Sequence, residues 1–286
     1  MTRLIVNADD FGLTPGVNRA IVELHRDGVL TSATLMANAA ATEDAVAIAG
    51  STSSLGVGCH VVLVDGEPML PVEQIGTLAD ATTGKLQPKL GGFLRQLVTG
   101  HIREAEIEAE AAAQIDSLHR RGVRLSHVDT HKHTHMFPAV LRPVLRAARA
   151  AGIRAVRNPF EPAWSVKATA GAPWIRRTEV NLLRRLEPAF RRIVAEEGFI
   201  TTDGAIGVLA TGTLDAATMT SLLRNLPEGT WELVTHPGYN DSDLEKARTR
   251  LLRSREVERE ALGTVKDFPG VELITFADLA AGHSEG

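Results

Sequence analysis

Acidic residues and histidines occur at four places in the sequence, each near the C-terminal end of a strand candidate. Asp9 and Asp10 close "LIVNADDFG" (residues 4–12), and His60 sits within "GVGCHVVL". Asp129, His131, His133 and His135 fill "HVDTHKHTHMFP", and His236 follows the apolar residues of "LVTHPGY". Imidazoles and carboxylates are the ligands of catalytic divalent sites that keep positions open for water or substrate. Two adjacent aspartates repel one another and resist burial, and a bound cation would offset that cost. The histidine run can deliver two imidazoles to one place in two ways. His131, His133 and His135 share a face in a strand, whereas His131 and His135 share one in a helical turn. His127 shares a strand face with Asp129 and reads as support rather than ligand. Taken alone, His60 would be an ordinary core histidine and the aspartate pair a turn with a helix cap. His25, His101, His119 and His283 are read as surface residues for the same reason.

The elements that must position these groups alternate along the chain. Strands are expected at residues 4–8, 33–36, 56–63, 125–129, 155–157, 206–210, 233–236 and 272–276. Between them lie helices with start and stop signals. In "TPGVNRAIVELHRDG", Thr14 is the N-cap, Pro15 takes the first helical position and Gly28 is the stop. "PAVLRPVLRAARAAG" ends at Gly152 in the same manner, and Asp241 or Ser242 caps a charged helix. Strand–helix alternation over the whole length implies a parallel sheet covered by helices. About eight repeats predict an α/β fold that closes into an irregular, TIM-barrel-like (β/α) barrel. The chain is expected to form a single domain over residues 1–286, with long insertions at about 64–103 and 160–203. In such a barrel the C-terminal strand ends converge on one face, so the four clusters meet whatever their separation in sequence.

Composition narrows the function further. The 286 residues are 44% hydrophobic with a net charge of -4, which gives no basic footprint for nucleic acid. Cys59 is the only cysteine, so no intrachain disulfide forms. Cys59 and His60 point to opposite faces of a strand, which rules them out as a nucleophilic pair with each other and leaves Cys59 as a small buried apolar residue. The Gly-rich phosphate loop, the dinucleotide fingerprint and the serine elbow are absent. The first residues carry too short an apolar run for a signal peptide and no window is long enough for a membrane span, so a cytoplasmic location is expected.

"VNADDFG", "GCHVVL", "HVDTHKHTHMFP" and "THPGY" together resemble the signature blocks of the YdjC-like carbohydrate deacetylases, the ChbG/HpnK group, in order along nearly the whole chain. The resemblance implies an irregular barrel that removes the acetyl group from an N-acetylated amino sugar with one divalent ion, Mg2+ ahead of Zn2+. Carried over by position, Asp10, His60 and His131 would be the metal ligands, with His135 in reserve. Asp9 would be the catalytic base and His236 the acid. Arg157, ending the fifth strand in "VRNPFEP", would orient Asp9 or a substrate oxygen. The substrate implied is an oligosaccharide or a glycolipid such as an acetylglucosaminyl hopanoid, and a homodimer is compatible with the sequence. Two alternatives stay open: a metal-dependent hydrolase of another bond such as a phosphoester, and a non-catalytic sugar- or lipid-binding protein.

Three arginine pairs, Arg176/Arg177, Arg184/Arg185 and Arg191/Arg192, recur in "WIRRTEVNLLRRLEPAFRRIV". Glu187–Pro188 divides this stretch into two short helices. The plain reading is a solvated helix face; the functional one is a basic lid making peripheral contact with an anionic membrane.

Overall fold

The structure, a computed structural model, describes residues 1–247, 249–265 and 268–282, and His283 lies outside them. Eight strands form within the described residues: β1 (Thr2–Phe11), β2 (Ser32–Leu35), β3 (Gly56–Val61), β4 (Leu125–Thr130), β5 (Ala155–Val156), β6 (Gly204–Ile206), β7 (Gly229–Thr235) and β8 (Val271–Leu273). Their ladder runs β5-β4-β3-β2-β1-β7-β6 with parallel pairing throughout. The two ends of the ladder approach each other. Val156 donates its backbone N–H to Ile200 O at 3.0 Å, and Ala205 donates to Phe160 O at 3.2 Å. Seven strands thus curl into an irregular barrel, as expected, and β8 is the irregularity. It pairs with Thr2–Leu4 on the edge of β1 whose later residues pair with β2, so the ten-residue length of β1 serves both.

Local chemistry accounts for most element boundaries. Thr14 Oγ1 accepts from Val17 N at 3.2 Å to start the helix Pro15–Arg26, and Gly28 lies beyond it at φ 76°. Two strands end three or more residues short of expectation. The sixth ends at Ile206 rather than Ala210, because Gly207 turns away at φ 86°, where a Cβ would lie 2.9 Å from Val234 O. The eighth ends at Leu273 rather than Phe276, because Thr275 and Asp278 form a capping box that starts the helix Phe276–Ala281.

Alternation along the strands divides the molecule into an outer and an inner layer. Leu4, Val6 and Ala8 join the large core between sheet and helices. Ile5, Asn7 and Asp9 face the other way, as do Ala155 and Arg157. Hydrogen bonds from Arg157 to Asp9 link β1 to the residue after β5, strands that are not neighbours in the ladder, so this face is the barrel interior. Its lower part is apolar: Ile5, Ala155, Ile274, Phe276 and Leu279 pack as one cluster. The polar residues lie above it, toward the C-terminal strand ends.

Both insertions are held by polar side chains. Glu110 accepts from Met69 N at 2.7 Å and Leu70 N at 3.0 Å, and Glu106 accepts from Thr77 N at 2.7 Å, tying the first insertion to the helix Glu104–Arg120. In the second, helices Trp174–Leu183 and Glu187–Glu196 divide near Pro188 as the sequence predicts. Arg176 donates to Thr211 O, Arg177 to the carbonyls of Ala172, Val166 and Thr169, and Arg191 to Glu187 and Asp203 O. These guanidinium groups are engaged internally, while Trp174, Ile175 and Leu182 stand 75%, 52% and 58% exposed. No helix among the described residues is long and apolar enough to cross a membrane.

Gly58 of β3 gives a direct test of the interior packing. A Cβ there would lie 2.5 Å from the His127 ring, which is itself stacked on Phe276 with centroids 3.8 Å apart. Gly58→Ala should therefore destabilise the protein by about 1–3 kcal/mol in urea unfolding, the usual cost of overpacking a filled core.

Candidate active site and metal centre

Two consecutive strand residues ordinarily point to opposite faces, yet both Asp9 and Asp10 reach the barrel mouth. The register between β1 and β2 slips between Ala8 and Phe11, with one extra residue on β1. Asp10 occupies this bulge at φ 63°. The left-handed backbone is costly for a residue with a Cβ, and such outliers concentrate at functional sites.

His60 and Asp129 are register partners on β3 and β4. His60 Nδ1 lies 2.7 Å from Asp129 Oδ1, which turns Nε2 toward Asp10. His131 follows β4 in a 3-10 turn (His131–Met136) in which Lys132 and His133 are left-handed, at φ 57° and 53°. The run is thus neither a strand nor an α-helical turn, and only His131 is delivered to Asp10 and His60. His135, the reserve ligand, turns inward instead: its Nδ1 lies 2.8 Å from Thr130 Oγ1 and its Nε2 3.2 Å from Arg157 O. His127 is buried beneath Asp129 as support, against Ser126 Oγ and Phe276.

Asp10 Oδ1 lies 3.5 Å from His60 Nε2 and 3.4 Å from His131 Nδ1, and the two nitrogens are 3.3 Å apart. Such a triangle suits an ion bonded to each atom at about 2.0–2.1 Å. The group can therefore hold a metal ion. Asp9, His60 and Asp129 also converge, but there the 2.7 Å hydrogen bond between His60 and Asp129 fills the space. The carboxylate behind His60 is the arrangement that fixes tautomer and ring orientation in metal sites.

Asp9 faces Arg157. The fully buried guanidinium makes two hydrogen bonds to Asp9, at 2.6 and 2.9 Å, another to Glu232 at 2.8 Å, and an ion pair with Asp129 Oδ2. Asn7 Nδ2 at 3.0 Å and Thr34 Oγ1 at 3.2 Å also donate to Asp9. Burial disfavours the charged carboxylate, but Arg157, His60 and His236 outweigh it and hold Asp9 far below the usual carboxylate range. His236 Nε2 lies 3.8 Å from Asp9 Oδ2. Behind it, Glu258 accepts from His236 N at 2.6 Å and lies 3.7 Å from Nδ1. Burial opposes protonation of His236, yet Glu258, Asp9 and Asp10 raise its pKa. Cys59 is fully buried, and burial raises its thiol pKa further, as its reading as an apolar residue requires.

All six residues singled out from sequence thus lie together at the C-terminal strand ends. Asp129 is read from sequence only as part of its cluster, with no role of its own, and three others are not singled out: Glu232, Glu258 and Arg255, whose Nη2 holds Asp10 Oδ2.

His60 would couple an ion in this group to protons. Burial works against a charged imidazole, but Asp129, Asp10 and Asp9 raise its pKa to about 10. A ligating imidazole must be unprotonated, so an ion bound through His60 would have to displace a proton. Because the pKa is raised, competition from protons persists up to about that value and strengthens as pH falls. Calorimetric titration of metal-free protein with Zn2+ at pH 7, repeated in buffers of different ionisation enthalpy, should show release of close to one proton per ion. Binding without proton release would contradict this electrostatic picture.

Comparison with known proteins agrees with the geometry. A sequence model of the family described as YdjC-like protein matches residues 3–266. A protein of Thermoanaerobacter pseudethanolicus named carbohydrate deacetylase is 30% identical over 267 residues, covering 93% of this chain and 92% of that one. Another of that name from Brevibacillus brevis is 44% identical over 149 residues, 51% of this chain and 55% of that protein. Among solved structures, an Enterococcus faecalis protein described as a candidate cellobiose-phosphate cleavage protein is similar at a TM-score of 0.74 and 25% identity, covering 97% of this chain and 98% of that one. From its strand-end blocks through nearly its whole length, the chain belongs to the YdjC-like protein family.

Proposed function

We propose that this chain acts as a single domain that hydrolyses the acetamide of an N-acetylated amino sugar, using one divalent ion. The reading rests on one observation above all. A carboxylate fixed by Arg157 (Asp9) stands between a three-donor group that could hold a metal and His236, all at one barrel mouth. The relatives named carbohydrate deacetylase support the substrate class.

An ion held by Asp10, His60 and His131 would polarise the acetyl carbonyl and acidify water at the site. Asp9, fixed by Arg157, would take the proton from the attacking water. His236, whose pKa Glu258 helps to raise, would deliver a proton to the departing amine nitrogen. Arg157 is fully buried, so its role is to position Asp9 rather than to touch substrate. The resemblance implied Mg2+ ahead of Zn2+; a donor set of two imidazoles and one carboxylate is bound more tightly by Zn2+ and other first-row ions, and elemental analysis of the purified protein distinguishes them.

A glycolipid rather than a soluble oligosaccharide is favoured by the exposed apolar side chains of Trp174, Ile175 and Leu182 on one helix. Since Arg176 and Arg177 beside them are engaged internally, sedimentation with anionic vesicles tests it with Trp174→Ser/Leu182→Ser. Loss of binding supports docking there, and equal negligible binding by both proteins favours the soluble substrate.

Acetate release from N-acetylated oligosaccharides, with and without chelator, tests the activity itself. Asp9→Asn and His236→Ala should each retain metal and fold while losing ~10²–10⁴ in turnover, the usual worth of one proton-transfer group. Release of phosphate from phosphoesters without acetate would support the alternative hydrolase, and neither product would point to binding alone. The pH profile adds a signed test. Protonated His236 is the active form and Glu258 raises its pKa, so Glu258→Gln should shift the alkaline limb of kcat to lower pH. An unmoved limb would remove His236 as the acid.

A further inference from the structure

The two oxygens of Asp10 are divided between two kinds of partner. Oδ1 faces His60 Nε2 at 3.5 Å and His131 Nδ1 at 3.4 Å, while Oδ2 is held by Arg255 Nη2. Arg255 belongs to the helix Arg253–Gly263, fully buried, and its Nε is anchored on Leu251 O at 3.1 Å. Glu258, three residues on and on the same buried face, holds His236. One helix turn therefore grips both the metal cradle and the acid-side histidine from outside the strand ends.

We infer that Arg255 is a positioning residue that sets the metal affinity of the site. It restricts Asp10 to ligation through one oxygen and serves as that carboxylate's countercharge when no ion is bound. This rests on the reading of Asp10, His60 and His131 as a metal site. The physical reasoning is electrostatic. A fixed cation on the far oxygen withdraws negative potential from the near one and repels an incoming divalent ion. The same cation stabilises the metal-free protein, where the buried Asp10 would otherwise lack a full countercharge. Its grip also secures a residue in left-handed backbone at φ 63°. An arginine that only braced the fold would behave differently, because its removal would loosen Asp10 and weaken metal binding.

The test is Zn2+ affinity by competition with a fluorescent chelator, together with melting temperature with and without Zn2+. Arg255→Gln keeps a donor for Asp10 but removes the charge. It should bind Zn2+ about tenfold more tightly than wild type, melt lower without metal, and show a larger metal-induced rise in melting temperature. Arg255→Lys keeps the charge and should bind within about threefold of wild type. Weaker or unchanged binding by Arg255→Gln would overturn the assignment. Where that variant does not fold, a marked loss of affinity in Arg255→Lys would do so, since geometry rather than charge would then be in control. Absence of Zn2+ binding by the wild type would instead overturn the metal reading on which the assignment rests.

Discussion

The site depends on one buried guanidinium. Arg157 sits at the centre of the barrel mouth with Asp9, Asp129 and Glu232 around it, all essentially without solvent. One cation cannot fully compensate three anions in a medium of low polarity. Burial pushes Glu232 up to about 7 against the pull of Arg157, so this acid carries part of the relief by taking up a proton. Asp9 and Asp129 serve distinct purposes. Asp9 faces the mouth and His236, and Asp129 orients His60 toward Asp10. A single side chain thereby fixes both the proposed base and, through Asp129, a proposed metal ligand.

Around that centre the backbone is bent away from regular geometry where ligands must converge. Asp10 in its bulge and Lys132 and His133 in the turn after β4 are left-handed, and so is Asp65 at the start of the first insertion. Lys132 Nζ and Asp65 Oδ2 are 2.6 Å apart, so two of these residues pin one another across the mouth. Each such residue costs of order 1 kcal/mol or more and persists only where surrounding contacts over-determine it. The regular strands beneath supply that determination, with the apolar plug of Ile5, Ile274, Phe276 and Leu279 closing the barrel below.

Much of this was legible in the sequence, and the reasons are local. Asp9, Asp10, His60, His131 and His236 each fall at or near the end of a strand and could be read from there, and the helix starting at Pro15 from its cap. The path of the histidine run was not legible, because left-handed Lys132 and His133 carry no glycine signal. Arg255 and Glu258 lie in "SREVERE", where periodicity reports apolar residues only and buried charges look like a solvated face. Glu232 did leave a signal. A carboxylate flanked by Trp231, Leu233 and Val234 in a strand buried on both faces is anomalous, and it points to a cationic partner inside the barrel.

The claim that Arg157 is the countercharge for this cluster is tested most directly by urea unfolding of Arg157→Met and of Arg157→Met/Glu232→Gln at neutral pH. The single substitution should cost about 3–5 kcal/mol, the usual penalty for leaving buried partners of an ion pair uncompensated. Neutralising Glu232 in that background should recover part of the loss. A loss below about 1 kcal/mol for Arg157→Met, or a further loss on adding Glu232→Gln, would contradict the account.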